Sequence, residues 1–192
     1  MALSAEQGFA LALSQAAILR GWVLAEQGQG EEGIAQIRQS MAAWRATGAE
    51  LRRPYYLALL AEAYGKGGQV EEGLSVVAEA LAAVDKTRER FYEVELYRLR
   101  GELMLAKSRV QSLGSSVQKE AEECFWKAIE IARRQQAKSL ELRATMSLTR
   151  LWQQQGKRAE ARQMLAEVYN WFTEGFDTKD LQEAKALLEE LA

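Results

Sequence analysis

The side chains of this sequence that could do chemistry are carboxylate pairs, one thiol and one glycine-rich lysine segment. Adjacent glutamates occur at Glu31–Glu32, Glu71–Glu72 and Glu189–Glu190, and in a cleft such pairs can divide acid and base work. Here they fall at expected helix starts or on wetted faces, where negative charge near an N-terminus complements the helix dipole. The chain has no histidine, which removes the usual general base, nucleophile partner and metal ligand. Cys124 lies beside Phe125 and Trp126, and with no histidine to activate it the thiol reads as an inert packing group. Lys66-Gly67-Gly68 lacks the G-x4-G-K-S/T spacing that cradles phosphate. No side-chain set has metal-ligand spacing. A non-enzymatic chain is expected, with no cofactor and no metal.

Composition narrows the class further. The 192 residues carry 25 Lys+Arg against 27 Asp+Glu, a formal charge of −2. That balance offers no basic stripe for nucleic acid and no strong field for acidic membranes, so neither partner is expected. One proline among many Ala, Leu, Glu, Gln and Arg favours helix almost throughout, and strand signals are absent. The apolar stretch Phe9–Leu19 has no basic lead and carries Ser14 and Gln15, so it reads as a first helix rather than a signal peptide. No run approaches the roughly 18 apolar residues that span a bilayer. A lone cysteine makes no internal disulfide, which suits a reducing cytoplasm.

The elements that must position these groups repeat. A small residue is followed four later by a bulky apolar one and then, three on, by a small or aliphatic one. The series is Gly33–Ile37–Ser40, Gly73–Val77–Ala80, Ala121–Phe125–Ala128 and Ala161–Leu165–Val168, with first members 40, 48 and 40 residues apart. A period near 40 with helical apolar spacing predicts an all-α, right-handed solenoid of helical hairpins. Each unit reads as helix A, a glycine turn, helix B and a connector. The helices are expected over Glu6–Glu26 and Glu31–Thr47, then Leu51–Tyr64 and Val70–Asp85. Glu89–Lys107 and Gln118–Gln135 form the third pair, Ser139–Gln155 and Arg158–Phe172 the fourth. Four repeats follow over about 6–48, 49–88, 89–137 and 138–176, within a single domain spanning 1–192. Asp177 or Thr178 would cap a last amphipathic helix within about 177–192, its apolar face formed by Leu181, Ala184, Leu187, Leu188 and Leu191. The segment Ser108–Val117, rich in serine and containing Gly114, accounts for the extra eight residues of the third unit as an inserted loop, plain or partner-contacting.

The small residues have a packing role. Gly33, Gly73, Ala121 and Ala161 open helix B where it crosses helix A, and Gly21, Ala61 and Gly101 occupy the matching place on helix A. Small side chains there let two backbones approach, with Ile37, Val77, Phe125 and Leu165 filling the space beyond. Trp44, Tyr56, Tyr64, Trp126, Trp152 and Trp171 are read mostly as packing residues.

Helix A bearing Leu60–Ala61 with Tyr64 before a glycine turn, and helix B bearing Ala121, Phe125 and Ala128, resembles the tetratricopeptide repeat. The family period is 34 residues, so these helices would be about a turn longer, and the closing proline is missing. More closely, segments such as GWVLAEQGQGEEGIAQIRQSMAAWRATGAEL and WFTEGFDTKDLQEAKALLEEL resemble the C-terminal repeat region of large bacterial signalling ATPases. In that family a class III adenylate/guanylate cyclase-like domain commonly precedes a STAND-type NTPase and then the repeats. The resemblance implies a fragment of a longer protein, with a role in regulating those upstream domains. No cyclase or ATPase motif occurs in this sequence.

In such repeats helix A lines the concave wall, which makes Trp22 and Tyr55 the aromatic residues to expect there. The same projection gives Glu26, Glu62, Lys66, Tyr92, Glu95, Arg98, Glu102, Arg143, Met146 and Arg150. The wall would be acidic in the second and third units and basic in the fourth, able to orient a charged peptide, or else solvated and self-paired. A protein or peptide partner, including the chain's own upstream domains, is the leading expectation. A homodimer through an exposed N-terminal end is the alternative.

Overall fold

The computed structural model describes residues 9–111 and 115–192. Every regular element among them is helical: α1 Ala10–Glu26, α2 Gly30–Ala46, α3 Arg53–Lys66, α4 Val70–Thr87, α5 Glu93–Gln111, α6 Ser115–Gln135, α7 Lys138–Gln154, α8 Arg158–Tyr169 and α9 Lys179–Glu190. The chain divides into two compact units, the first ending at Tyr92 and the second beginning at Glu93.

Three of the hairpin turns share one hydrogen-bond device. Gly28, Gly68 and Gly156 follow α1, α3 and α7 with φ of +87°, +73° and +80°, a conformation that costs glycine little. The next residue then closes back on its helix. Gln29, Gln69 and Lys157 each donate a backbone N–H to Leu24, Tyr64 and Trp152 respectively, all at 2.9 Å. This six-to-one bond satisfies a carbonyl that the helix end would otherwise leave open. Between hairpins non-glycine residues also take the left-handed conformation: Arg52, Arg88 and Gln136 have φ of 69°, 63° and 55°, the first of them four residues after left-handed Gly48.

In the first unit α1 packs on α2, α3 on α4, and both α1 and α2 touch α3. Ile18, Ile37, Trp44 and Tyr56 are fully enclosed, with the Trp44 and Tyr56 rings edge to face at 5.4 Å. In the second unit Val94, Phe125, Ile129, Leu148 and Leu151 fill one core. A second core sets Leu142, Leu165 and Val168 against Leu181, Ala184, Leu187 and Leu191 of α9. None of the described helices is long and apolar enough to cross a membrane.

The element boundaries differ from expectation in instructive places. Glu6–Gly8 lie outside the described residues. Helix α5 starts at Glu93 rather than Glu89, because Glu89 is occupied in the connector, where both its carboxylate oxygens accept the Arg52 backbone N–H. The expected loop over Ser108–Val117 is largely helix instead: α5 runs on to Gln111 and α6 begins at Ser115, while Gly114 lies outside the described residues. Helix α8 stops at Tyr169, short of Phe172. Thr178 does stand at the start of α9, yet its hydroxyl donates back to the Gly175 carbonyl instead of capping a helix N–H.

Candidate functional site

The face of helix A available to a partner is set by the crossing with helix B. At Gly21 an added Cβ would lie 2.8 Å from the Gly33 carbonyl oxygen, and at Gly33 it would lie 2.5 Å from the Gly21 oxygen. Backbone meets backbone there, and no side chain fits. At Gly101 the obstacle is different, since the Phe125 ring comes within 2.5 Å of the same added atom. Ala61, Gly73, Ala121 and Ala161 are likewise buried. With this edge of helix A fixed inward, residues one position on point outward.

In the first unit that outward face holds four of the expected residues in two pairs. The Trp22 indole N–H donates to Glu62 at 2.8 Å, and Lys66 forms an ion pair with Glu26. Tyr55 and Tyr92 lie together at 4.9 Å between ring centroids. Phe91 joins them, 6.3 Å from Tyr55 and 5.8 Å from Tyr92, and it is 49% exposed. The Tyr55 ring also leans on buried Tyr56, whose phenol burial pushes above its ordinary pKa of 10.0. Sequence reasoning missed Phe91 because it placed that residue inside helix A, whereas it stands in the connector before α5.

In the second unit the corresponding residues are not an open wall. Glu95 and Arg98 are 1% and 6% exposed, and Met146 is buried as well. Arg98 donates to the Glu95 carboxylate at 2.8–3.1 Å and pairs with Glu102 at 2.6 Å. Arg143 reaches Glu95 at 3.0 Å and Asp180 of α9 at 3.9 Å. Glu102 accepts the Ser147 hydroxyl at 2.8 Å, and Arg150 binds Glu183 of α9 at 3.0 Å. The acidic and basic residues therefore pair with each other, inside the fold at Glu95–Arg98 and at its more exposed margin at Glu102 and Arg150–Glu183. Asp180, Glu183 and Ser147 were not foreseen as their partners. The i, i+3 and i, i+4 spacing of Glu95, Arg98 and Glu102 was legible, but their burial was not.

No group of three or more Cys, Asp or Glu side chains placed to hold a metal ion gathers among the described residues. Cys124 is buried, and burial pushes its thiol above the usual value of 9.0, away from the reactive thiolate. Glu141 is buried at the start of α7. Burial alone would raise its pKa, but hydrogen bonds from Lys138 and Arg133, both at 2.7 Å, hold it below the ordinary 4.5. Trp126 and Trp171, read from sequence as packing residues, are 40% and 58% exposed. Trp126 stacks edge-on against Trp152, and Trp171 lies under the Lys138 ammonium at 5.7 Å.

No protein-family model matches the chain. An uncharacterized protein of Rhizobium meliloti (strain 1021) is 29% identical over 138 residues, which are 71% of this chain and 13% of that protein. Among solved structures, nearly identical TPR-like repeats of Podosopora anserina, ascribed to a kinesin light chain, superpose with a TM-score of 0.66 at 20% identity. That match covers 94% of this chain and 86% of the other. A thermophilic TPR protein of Thermus thermophilus gives a TM-score of 0.66 at 19% identity, covering 93% and 80% of the two chains. With every described element a helix and three of the hairpins closed by one recurring turn, the chain has the fold of tetratricopeptide-like helical repeats.

Proposed function

We propose that this chain is a non-catalytic interaction module that holds a peptide segment or protein face on the helix A side of its first unit. The observation that carries this reading is the cluster of Tyr55, Phe91 and Tyr92, a contiguous aromatic surface left half in solvent. Aromatic side chains of this kind supply large apolar contact at low entropic cost and dominate binding energy at protein interfaces. The pairs Trp22–Glu62 and Glu26–Lys66 flank the same side of helix A and would give a bound segment its polar limits. The buried network of Glu95, Arg98 and Arg143 is structural in this reading. Glu102 and Arg150, more exposed, are left as its rim.

The resemblance to repeat regions of signalling ATPases supplies the regulatory form of the proposal. The partner is then an upstream NTPase or cyclase-like domain of the same polypeptide, and the module acts in the cytoplasm. The matched segment makes up only 13% of the Rhizobium protein, the proportion a repeat segment of a much larger protein would have.

A displayed peptide library selected against the chain tests the binding surface. Enriched peptides should bind the wild type and lose at least about tenfold in affinity to Tyr55→Ala and Phe91→Ser variants that keep their helical circular dichroism. Selection that enriches nothing, or peptides indifferent to both changes, would remove this surface from consideration. In a parent protein, regulation unchanged by deletion of the repeats would remove the regulatory form.

A further inference from the structure

The eight residues that set the third repeat apart lengthen its hairpin. Past the crossing residues Gly21 and Ala61, helices α1 and α3 run five residues further, to Glu26 and Lys66. Thr149 has the same place in α7, and that helix also runs five further, to Gln154. Past Gly101, α5 runs ten, to Gln111. Beyond the turn, α2, α4 and α8 begin three residues ahead of Gly33, Gly73 and Ala161, whereas α6 begins six ahead of Ala121. All eight extra residues therefore go into helix, five in α5 and three in α6. Five residues add about 7.5 Å of helix, so α5 continues where the other A helices have already turned.

Arg109 of this overhang lines a cavity of about 250 Å³ between α5 and α7. The apolar side of the cavity is Leu105, Phe125 and Leu151, and Arg150 and Gln154 share the polar side with Arg109. Sites for drug-sized molecules have roughly 300–1,000 Å³, so this one takes a single large side chain. Most of its polar groups are already satisfied. Glu102 accepts the Ser147 hydroxyl and pairs with Arg98, and Arg150 is held by Glu183. Arg109 is exposed and has no ion-pair or hydrogen-bond partner among the described residues. The unbalanced charge at the cavity is thus one guanidinium. In the other repeats its place is taken by Gln29, Gln69 and Lys157, whose backbones close the hairpin turns. The lengthened helix is what sets a free cation beside this apolar floor.

We infer that the cavity anchors a partner peptide by one large apolar side chain, with a carboxylate on a flanking residue meeting Arg109. A buried apolar anchor supplies the energy of such a contact, and the charge at its edge selects among sequences. The site is independent of the Tyr55–Phe91–Tyr92 surface in the first unit. It lies toward the end of α5 away from Glu95. A rival role for Arg109 is plain: a cation in the last turn complements the helix dipole. That role affects stability and is blind to a peptide's sequence.

Three capped pentapeptides test the inference, each with a central phenylalanine flanked on both sides by glutamate, glutamine or lysine. Binding to the intact chain is read from amide shifts in nuclear magnetic resonance titrations at low salt. The glutamate peptide should bind at least about threefold more tightly than the glutamine peptide, and the lysine peptide most weakly. The shifted amides should include those of Leu105, Leu151 and Gln154. Arg109→Glu should reverse the order of the peptides, and added salt should narrow the differences in both proteins. Leu105→Trp, which fills the cavity, should remove binding of all three while helical circular dichroism is kept. A helix-end role alone would lower the Tm of Arg109→Glu and leave the peptide order unchanged, which would overturn the inference. Equal affinities, no binding, or shifts confined to residues around Tyr55 would overturn it as well.

Discussion

The helix A faces of the two units carry similar residues and use them in opposite ways. In the first unit the Glu26–Lys66 pair stays partly open to solvent, its side chains 25% and 41% exposed. In the second unit Glu95 and Arg98 are enclosed, because Arg143 from α7 and Asp180 from α9 complete a network above them. The difference lies in geometry, not residue type. Exposed pairs gain little, since water screens them and long side chains must be ordered. Enclosed pairs are costly to break, since the survivor is left charged in a poorly solvating interior. A partner surface should therefore be sought on the first unit's face, and stability determinants on the second's.

The largest effect is expected at Glu95. Glu95→Ala takes the buried carboxylate away from both Arg98 and Arg143, and should cost up to about 3–5 kcal/mol in chemical denaturation. The double variant Glu95→Leu with Arg98→Met removes both charges and should recover most of that loss, because well-packed apolar groups can replace a buried pair. A single variant within about 0.5 kcal/mol of wild type would show the pair to be as weak as an exposed one.

The helix crossings give the next contrast. Gly33→Ala drives a methyl into the Gly21 carbonyl, a backbone atom that cannot step aside, and should cost about 1–3 kcal/mol. Gly101→Ala meets the Phe125 ring instead, and a ring can tilt, so the cost should be smaller. Equal losses at the two sites would mean that Phe125 is as immovable as backbone.

These crossings were legible in the sequence, and the network was not, for a physical reason. A close backbone approach limits side-chain size at fixed positions, so Gly21, Gly33 and Gly101 and the filler residues Ile37 and Phe125 recur at readable spacing. Burial of Glu95 depends on side chains 48 and 85 residues away, Arg143 and Asp180, which no local pattern announces. A helical projection places Glu95 and Arg98 on the wall correctly but says nothing of what lies over them. Phe91 was lost for a smaller reason. The Arg88 left-handed turn and the Glu89 contact to Arg52 delay α5 by four residues, and propensity alone cannot place that break.

Glu141 sharpens the comparison through pH. The folded carboxyl holds its proton less readily than an unfolded glutamate, because the hydrogen bonds from Lys138 and Arg133 outweigh burial. Its contribution to stability is complete above the ordinary value of 4.5 and is lost as pH falls through the lowered folded value. Glu141→Gln should therefore destabilise the protein at neutral pH, with the gap to wild type closing below 4.5. A gap that stayed constant on acidification would show that the carboxylate charge contributes nothing and that only its shape matters.

The smallest effect belongs to the exposed pair in the first unit. Lys66→Ala should cost no more than about 0.5–1 kcal/mol, and that loss should shrink in high salt, because both groups of the Glu26–Lys66 pair remain open to water and counterions. The pair's worth would lie in binding: where a peptide covers this face and excludes water, the same charges become desolvated and specific. Lys66→Ala should then slow association with a peptide selected against the wild type more than it lowers Tm. A variant that loses stability like Glu95→Ala, yet binds peptide unchanged, would erase the distinction between the two faces.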